Sequence, residues 1–247
     1  MVPRLGADWL LIIPCCARKI AGGELISVND DPLIKLVTHD RYSAMINTRR
    51  AVMQSVFVSP RFANDKNTGL KDGVDFGGHN MSGLYMPALA RYDGTLYRTP
   101  CLNSVIKHIV ETKGMPQIMI LSALYGPLHP LSPIQNYNLK MEDAPARAWE
   151  DEFPVFLEDF VRRNGVKKIG LYLGSSTKYL KVAKKAVDKV CSSGTSLEVV
   201  QYHIVDGSTH KTPSTHGLRM LYDLGGPSLY DPAQICEKFF LRIPLWQ

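Results

Sequence analysis

The chain has 247 residues, of which 45% are apolar and 21% are charged, proportions that are typical of a folded globular protein. No apolar run approaches the roughly 20 residues that a membrane span needs, and the run at residues 9–13 is too short for a secretory signal. The cysteines are odd in number and form no CxxC pair, which argues against a disulfide framework and a structural zinc site. We therefore expect a cytoplasmic protein that uses no metal ion or other cofactor and does not bind a membrane.

The formal net charge is +6 and the pI is about 9.0, a balance that favours anionic partners such as nucleic acid. Nine lysines and arginines but only one acidic residue, Asp188, lie between Arg162 and Lys189. The preceding stretch, residues 142–159, is acidic. These runs predict that positive and negative charges occupy separate faces or lobes of the molecule.

Short, wholly apolar runs alternate with segments of helical pattern along the chain. Such runs are typical of strands that are buried on both faces of a parallel sheet. The predicted strands are at residues 10–13, 118–121 and 169–173, and a fourth begins at 197. The predicted helices are at residues 102–112, 149–164 and 178–190. This alternation predicts an α/β fold with a mainly parallel central sheet flanked by helices.

Two regions break this alternation. Residues 59–92 are rich in glycine and in turns that contain asparagine, and we expect an insertion or a long loop there. The tail after Thr209 is rich in His, Gly and Pro. Because the chain has no internal repeat or low-complexity tract, the sequence predicts one domain over residues 1–247 that carries the inserted Gly-rich region.

Three of the predicted strands run directly into unusual polar loops, at residues 14–19, 122–130 and 174–179. Ligands of open parallel sheets bind outside the carboxyl ends of the strands. If these strands are parallel neighbours, their loops meet at one edge of the sheet. We therefore expect a binding site to which all three loops contribute.

The third loop predicts an anion site, because small residues before a helix expose backbone N–H groups at its positive end. Ser175 or Ser176 is the expected cap of this helix. One side of the helix carries the lysines Lys178, Lys181, Lys185 and Lys189. They fit a surface that contacts a phosphate backbone, and they also fit a solvated helix face with an ordinary cap. The spacing of a P-loop is absent.

The first loop places Cys15, Arg18 and Lys19 just beyond a buried strand. Burial, or the charge of Arg18, would lower the pKa of Lys19 and make its amine a nucleophile. Cys15 is a second candidate nucleophile, because the nearby positive charges would stabilise its thiolate. The alternative is that the cysteines are small buried residues and that the basic pair is solvated.

The second loop holds Tyr125 and His129 in a turn bracketed by two prolines, and Asn136 and Tyr137 follow shortly after it. Amides read the edges of nucleobases, and aromatic rings stack on their faces. His129 is a candidate general acid or base, because an ordinary histidine titrates near neutral pH. The alternative is a rigid turn with a satisfied surface histidine.

Residues 121–130, LSALYGPLHP, are similar to LSGLYGxLRP, the signature of the peroxide-stress YaaA family. Residues 134–141 are similar to the MxPYRLEM of that family. Looser similarities keep the family's order at residues 92–97, 174–181 and 215–220, so the resemblance covers most of the chain from Tyr92 onward. It implies a nucleic-acid-binding α/β fold related to uracil-DNA-glycosylase-like domains.

The loop after the first strand departs from the SPAKT of that family. Its residues 14–19, PCCARK, resemble instead the PCSxRK motif of archaeosine synthase, a relative that uses this lysine to modify a deazaguanine base in RNA. By this resemblance Lys19 is the expected catalytic residue. The KPYxxS pattern that follows in archaeosine synthase is absent here, and residues 59–92 show no resemblance of this kind.

Two functions fit these features. One is an enzyme that flips a modified base of nucleic acid, with DNA favoured over RNA, into a pocket under the loops and excises or exchanges it at the base–sugar bond, as a DNA glycosylase does. The other is a non-catalytic DNA-binding protein of the stress response. A small-molecule nucleoside enzyme is less favoured, because it leaves the basic stretch without a role.

The enzyme hypothesis assigns a role to each candidate residue. The expected catalytic residues are Lys19, His129 and Tyr125. The expected base-binding residues are Cys15, Tyr97, Ser122, Asn136 and Tyr137. The expected phosphate contacts are Arg18, Ser175, Ser176, Lys178, Lys181 and Lys185.

Overall fold

A six-stranded sheet forms the centre of the protein. The computed structural model describes residues 4–24, 31–79, 84–204, 212–226 and 240–244. From one edge to the other, the strands are β4 (Gly126–Leu128), β3 (Gln117–Ser122), β1 (Trp9–Pro14), β6 (Lys168–Leu171), β7 (Glu198–Ile204) and β8 (Phe240–Pro244). A separate ribbon pairs β2 (Met86–Pro87) with β5 (Pro133–Ile134).

The four inner strands are parallel, as the sequence predicts. β1 lies between β3 and β6, with Ile13 opposite Ile120 and Leu11 opposite Gly170. Residues 9–13 are all buried, as expected for a strand that is covered on both faces of a parallel sheet. The carboxyl ends of β3, β1 and β6 therefore lie side by side, and the three polar loops begin at this edge.

Antiparallel strands form both edges of the sheet, and neither edge strand was predicted. β4 returns beside β3, with Ser122 opposite Gly126 and Ile120 opposite Leu128. The reversal requires Gly126, whose φ is 68° and on which a Cβ would lie 2.3 Å from the ring of Trp149. Because of this reversal, the chain after Leu128 runs back toward the amino end of β3.

The α-helices of the described ranges include the three that the sequence predicts. They are α1 (His39–Phe57), α2 (Asp65–Thr68), α3 (Ala88–Arg91), α4 (Leu102–Glu111), α5 (Trp149–Asn164), α6 (Lys178–Ser192) and α7 (Thr212–Asp223). α4, α5 and α6 are confirmed to within two residues at each end. α5 ends at Gly165, which has a φ of 64° and donates its N–H to the carbonyl oxygen of Val161. No helix among the described residues is long and apolar enough to cross a membrane.

Two helices were not predicted. α1 is capped by Thr38 and buries Met45, Val52 and Arg49. Charged and polar residues lie between its apolar positions. Because Arg49 is on the buried face, the spacing of apolar residues does not show the period of a helix clearly. α7 lies in the tail after Thr209, which breaks the predicted alternation of strands and helices; residues 210–211, 227–239 and 245–247 of that tail lie outside the described residues.

Residues 59–92 form more than a loop. Their described part contains α2, β2, α3 and three short 3-10 turns, and it buries Leu70, Tyr85 and Leu89. β2 pairs with β5, which follows the second polar loop. The prediction of a long loop is wrong for this part, because the segment packs its own side chains into the core; Gly83 and its neighbours at 80–82 lie outside the described residues.

The acidic and basic runs are not separated as predicted. α5 packs against α6, and the acidic first turn of α5 faces lysines of α6. Lys178 forms an ion pair of 2.7 Å with Glu150, and Lys185 forms one of 2.8 Å with Asp151. Opposite charges of neighbouring helices attract each other, so two of the four lysines on the predicted basic side are paired.

Candidate active site at the carboxyl ends of the parallel strands

The loop after β1 has a fixed backbone. Lys19 forms an antiparallel bridge with Tyr92, and the N–H of Ile20 donates to the carbonyl oxygen of Arg91 over 2.8 Å. The guanidinium of Arg91 donates to the carbonyl oxygens of Ile20 and Gly22, each over 2.7 Å. Hydrogen bonds on both sides of the loop therefore set the direction of the Lys19 side chain.

The amine of Lys19 is buried against an aromatic ring. Lys19 is 9% exposed, and its Nζ lies 3.8 Å from the ring centroid of Tyr137 and 5.6 Å from that of Tyr92. The Nζ donates a hydrogen bond of 2.9 Å to the carbonyl oxygen of Cys16. Burial lowers the pKa of Lys19, and this raises the fraction of neutral, nucleophilic amine.

The tyrosine rings next to this amine carry hydrogen-bonded hydroxyl groups. The oxygens of Ser122 and Tyr137 are 2.8 Å apart, and those of Tyr137 and Tyr92 are 2.9 Å apart. The hydroxyl of Tyr97 donates to the carbonyl oxygen of Pro14 over 2.8 Å. Burial raises the pKa values of all three tyrosines, so they remain neutral and able to donate hydrogen bonds.

The two cysteines of the first loop differ in their surroundings. The Sγ of Cys15 lies 2.9 Å from the hydroxyl oxygen of Tyr179, which belongs to α6. The thiol of Cys16 donates to the carbonyl oxygen of Arg18 over 2.8 Å. Burial raises the pKa of Cys16 to about 11, so this group is a thiol rather than a thiolate nucleophile at neutral pH.

We call this set of side chains the Lys19 cluster: Cys15, Lys19, Tyr92, Tyr97, Ser122, Tyr137 and Tyr179. It joins elements that follow β1, β3 and β6, as the sequence predicts for three loops at one edge. Tyr92 and Tyr179 were not assigned to the site, although both lie in segments that carry the resemblance to the YaaA family. Tyr92 lies outside the three polar loops and Tyr179 is the last residue of the third, so the sheet order, which brings the loops together, reveals that both belong to the site.

A cavity of about 300 Å³ is lined by Asn136, the residue that precedes Tyr137 of the cluster. Its lining includes Gly22, Lys66, Gln135 and Asn136, and we call it the Asn136 cavity. The Oδ1 of Asn136 is buried and accepts no hydrogen bond from any residue that the structure describes. Burial and, to a smaller extent, the charge of Lys66 lower the pKa of Lys19. The cavity therefore borders a residue that has an unpaired acceptor and directly precedes Tyr137, whose ring contacts Lys19.

Tyr125 borders the cluster with its ring only. The ring meets that of Tyr137 edge-on, with centroids 5.7 Å apart. Its hydroxyl donates to the Oδ2 of Asp75 over 3.0 Å and accepts from the N–H of Gln135 over 2.9 Å. Burial raises the pKa of Asp75, which also accepts hydrogen bonds from Tyr85 and Gln135. The hydroxyl of Tyr125 thus faces the segment at 59–92 and not the amine of Lys19.

His129 does not share the site with Lys19, and the expectation that it does is wrong. β4 runs antiparallel to β3, so the chain at His129 has returned to the level of Met119, about 10 Å back from Ser122 at roughly 3.4 Å per residue. His129 lines a separate cavity with Gln117 and Ile118, at the amino end of β3. Burial lowers its pKa to about 4, so the ring is neutral over the physiological range.

The predicted phosphate contacts lie near the surface. Ser175 and Ser176 are exposed, and Thr177 rather than either serine caps α6 by accepting from the N–H of Leu180. Arg18 is exposed and forms an ion pair of 2.9 Å with Asp93. Lys178 and Lys185 are paired with acids of α5, as described above, whereas Lys181 is exposed and has no ion pair among the described residues.

No three histidine, cysteine, aspartate or glutamate side chains within the described ranges are close enough together to hold a metal ion. Cys236 lies outside those ranges. The Lys19 cluster consists of an amine, hydroxyls, a thiol and aromatic rings, a set that suits hydrogen bonding, stacking and nucleophilic attack.

A comparison with protein families agrees with the resemblance seen in the motifs. Residues 44–210 match the family model described as peroxide stress protein YaaA, which is more than half of the 247 residues. The match includes Ser122, Asn136, Tyr137 and Tyr179 but begins after the loop that carries Lys19. No curated protein matches the chain. The chain belongs to the peroxide stress protein YaaA family.

Proposed function

We propose that the protein binds nucleic acid, with DNA favoured over RNA, and excises or exchanges a modified base at the base–sugar bond with Lys19 as the nucleophile. The observation that carries this proposal is the buried Lys19 amine: its pKa is lowered and it lies 3.8 Å from the ring centroid of Tyr137. The residue before Tyr137, Asn136, lines a cavity and has an unpaired amide oxygen. A base flipped out of the stack brings its sugar carbon C1′ and its hydrogen-bonding edge into such a site together.

The first step is recognition of the base. Asn136 Oδ1 accepts a hydrogen bond from an N–H group on the edge of the base, which satisfies the otherwise unpaired oxygen. Aromatic rings of the cluster, Tyr137 above all, form a wall for the base. Arg18, Ser175 and Ser176 are exposed in the loops at the same edge, and in this proposal they contact the phosphates beside the flipped nucleotide.

The second step is attack by the amine. The neutral Nζ of Lys19 forms a bond to C1′ as the glycosidic bond breaks, and the base leaves with the bonding electron pair. The base takes up the proton that the alkylated nitrogen releases, and the hydroxyls of Tyr137 and Ser122 can pass it on. Opening of the sugar ring then gives an imine, which water hydrolyses to free the lysine. Exchange replaces this water by a second base.

The N-terminal motif supports the choice of Lys19. The segment 14–19 lies outside the family match, and its resemblance to archaeosine synthase is the reason to assign base chemistry to a lysine there. The resemblance to uracil-DNA-glycosylase-like domains supports a reaction at the base–sugar bond. Both likenesses concern the kind of reaction, and neither identifies the base.

The test is reductive trapping. Duplex and single-stranded DNA carrying modified bases is incubated with the protein and borohydride, and the products are analysed by gel and mass spectrometry. We expect released base and a covalent adduct at Lys19, and we expect Lys19→Met to abolish both, a loss of at least about 1,000-fold. Lys66→Met is the matched control, since it removes a lysine that lines the Asn136 cavity but keeps the nucleophile.

Release of base without an adduct would contradict a lysine nucleophile and would favour attack by water. Trapping of Lys66 in place of Lys19 would show that the wrong amine has been assigned. An adduct that still forms with the Lys19→Met variant would also show that Lys19 is not the nucleophile.

A second function is a non-catalytic DNA-binding protein of the peroxide stress response. The family match favours it, and so does the close packing of the Lys19 cluster, in which most side chains are less than 10% exposed. Such a protein would bind DNA with a strong dependence on salt but release no base from any substrate. The mass-spectrometric assay therefore separates the two functions.

A further inference from the structure

The amino end of β3 carries a cavity that the proposed function does not use. It has a volume of about 130 Å³ and lies between the end of α4, the start of β3, α5 and the 3-10 turn at Pro32–Lys35. We call it the His129 cavity. Most of its lining is aliphatic or aromatic, for example Leu33, Ile109, Met119 and Phe160. Its size is close to the roughly 150 Å³ of cavities that hold one benzene ring.

Three polar side chains interrupt this apolar lining, and one of them, Thr112, is already paired, since its hydroxyl donates to the carbonyl oxygen of His108 over 2.7 Å. The Oε1 of Gln117 is buried and accepts no hydrogen bond from the described part of the chain. A buried acceptor without a partner costs about 1–3 kcal/mol, so such atoms are rare unless water or a ligand satisfies them. The Oε1 of Gln117 is therefore an acceptor that a hydrogen-bond donor of a ligand can satisfy.

The remaining polar group is the ring of His129. Its Nδ1 accepts a hydrogen bond of 3.1 Å from the N–H of Leu131, so that nitrogen carries no proton. In a neutral imidazole the proton is then on Nε2, which makes Nε2 a donor. No described residue forms a hydrogen bond with this Nε2–H. The neutral state is the stable one here, because burial lowers the pKa of His129 to about 4.

We propose that the His129 cavity is a binding site for a small neutral heterocycle of one ring that carries an N–H next to a C=O group. The Oε1 of Gln117 accepts from the N–H of the ligand, and the Nε2–H of His129 donates to its carbonyl oxygen. The aliphatic side chains cover the rest of the ring. An ionic ligand is excluded, because no charged residue lines the cavity to compensate for its desolvation.

The experiment uses 2-pyridone as the probe and N-methyl-2-pyridone as its control, with the full chain and saturation-transfer NMR. 2-Pyridone is expected to bind saturably at millimolar concentrations. N-methyl-2-pyridone is expected to bind at least about tenfold more weakly, because it leaves the oxygen of Gln117 unpaired. Equal binding of the two probes, or no saturable signal from 2-pyridone because the cavity holds water only, would overturn the proposal. Since both probes are tested on the natural protein, this comparison does not depend on the folding of any variant.

Variants locate the site. Gln117→Leu and His129→Phe are each expected to weaken 2-pyridone binding at least about tenfold, since each removes one hydrogen-bonding group. Lys19→Met is expected to bind as the natural protein does, because Lys19 lies at the opposite end of the sheet. If Lys19→Met loses the probe and Gln117→Leu keeps it, the probe binds the Lys19 site and the assignment to the His129 cavity is wrong.

Discussion

The two ends of β3 bury basic side chains in opposite surroundings. At the carboxyl end, the Lys19 amine lies over the ring of Tyr137, whose hydroxyl oxygen is 2.8 Å from that of Ser122. At the amino end, the ring of His129 lies among aliphatic side chains. Burial lowers the pKa of both groups. One end thus holds an amine of lowered pKa close to hydrogen-bonded hydroxyl groups, whereas the other holds a neutral imidazole.

The position of a residue directly after a strand is not enough to predict the site to which it belongs. Lys19 follows a parallel strand and stays at the carboxyl edge, because its loop is bridged to Tyr92. His129 follows a strand as well, but the turn at Gly126 sends its segment back along β3. The direction of the chain after the strand, set by that turn, decides which end a side chain joins.

The largest effect on stability is expected at Arg49, which holds the turn between the two ends. It is buried in α1 and donates to the carbonyl oxygens of Tyr125 and Pro127 over 2.7 and 3.0 Å, and it lies 3.5 Å from Asp31. Arg49→Met leaves both carbonyls and a buried carboxylate without this partner. We expect a loss of about 3–5 kcal/mol in the free energy of unfolding, measured by urea denaturation.

The neighbouring Arg50 provides the control for this prediction. It is exposed on the same helix, so Arg50→Met is expected to change stability by no more than about 0.5 kcal/mol. A loss below about 1 kcal/mol for Arg49→Met would show that the turn does not depend on this arginine. The distinction between the two ends of β3 would then rest on Gly126 alone.

The next effect is a pH dependence that belongs to the amino end. The pKa of His129 is lowered from 6.5 to about 4 in the folded protein, because burial outweighs the opposing charge of Asp31. The unfolded chain therefore binds a proton that the folded chain does not between these values. Stability is expected to fall as the pH drops from about 6.5 to about 4, by about 3 kcal/mol from this residue.

His129→Leu tests this assignment. The variant removes the titrating group from an apolar cavity, so its stability is expected to depend less on pH over that window by about 3 kcal/mol. Urea denaturation of both proteins at several pH values gives the difference. Parallel curves for the two proteins would show that His129 does not titrate differently on folding.

Much of the fold was predictable because it depends on local patterns. The apolar runs at residues 10–13, 118–121 and 169–173 give the parallel strands, since a strand covered on both faces needs no polar side chains. Both ends of α5 are predicted correctly, because a glycine after the last helical residue, here Gly165, is a clear signal for the end of a helix. α1 and β4 were missed for opposite reasons: α1 hides a buried arginine on its inner face, and β4 is too short to show a period.

The candidate site was predictable only in part. Lys19, Cys15, Ser122 and Tyr137 meet because three parallel strands end together, which the sequence indicates. The Asn136 cavity depends on the segment at 59–92, which supplies Lys66 and has no recognisable pattern. Long-range packing of this kind leaves no trace in the spacing of residues along the chain.

The smallest expected effect compares two lysines on α6. Lys185 is paired with Asp151 over 2.8 Å, whereas Lys181 has no ion pair among the described residues. If α6 contacts DNA, Lys181→Gln is expected to reduce the slope of log K against log salt by about 0.9, the value for one phosphate contact. Lys185→Gln is expected to reduce this slope by less than half of that amount, because Asp151 already neutralises the ammonium.

Fluorescence anisotropy of a labelled duplex between about 50 and 200 mM salt measures both slopes. Asp151→Asn frees Lys185 and is expected to increase the slope, so unchanged slopes in all three variants would place the DNA on another face of the protein.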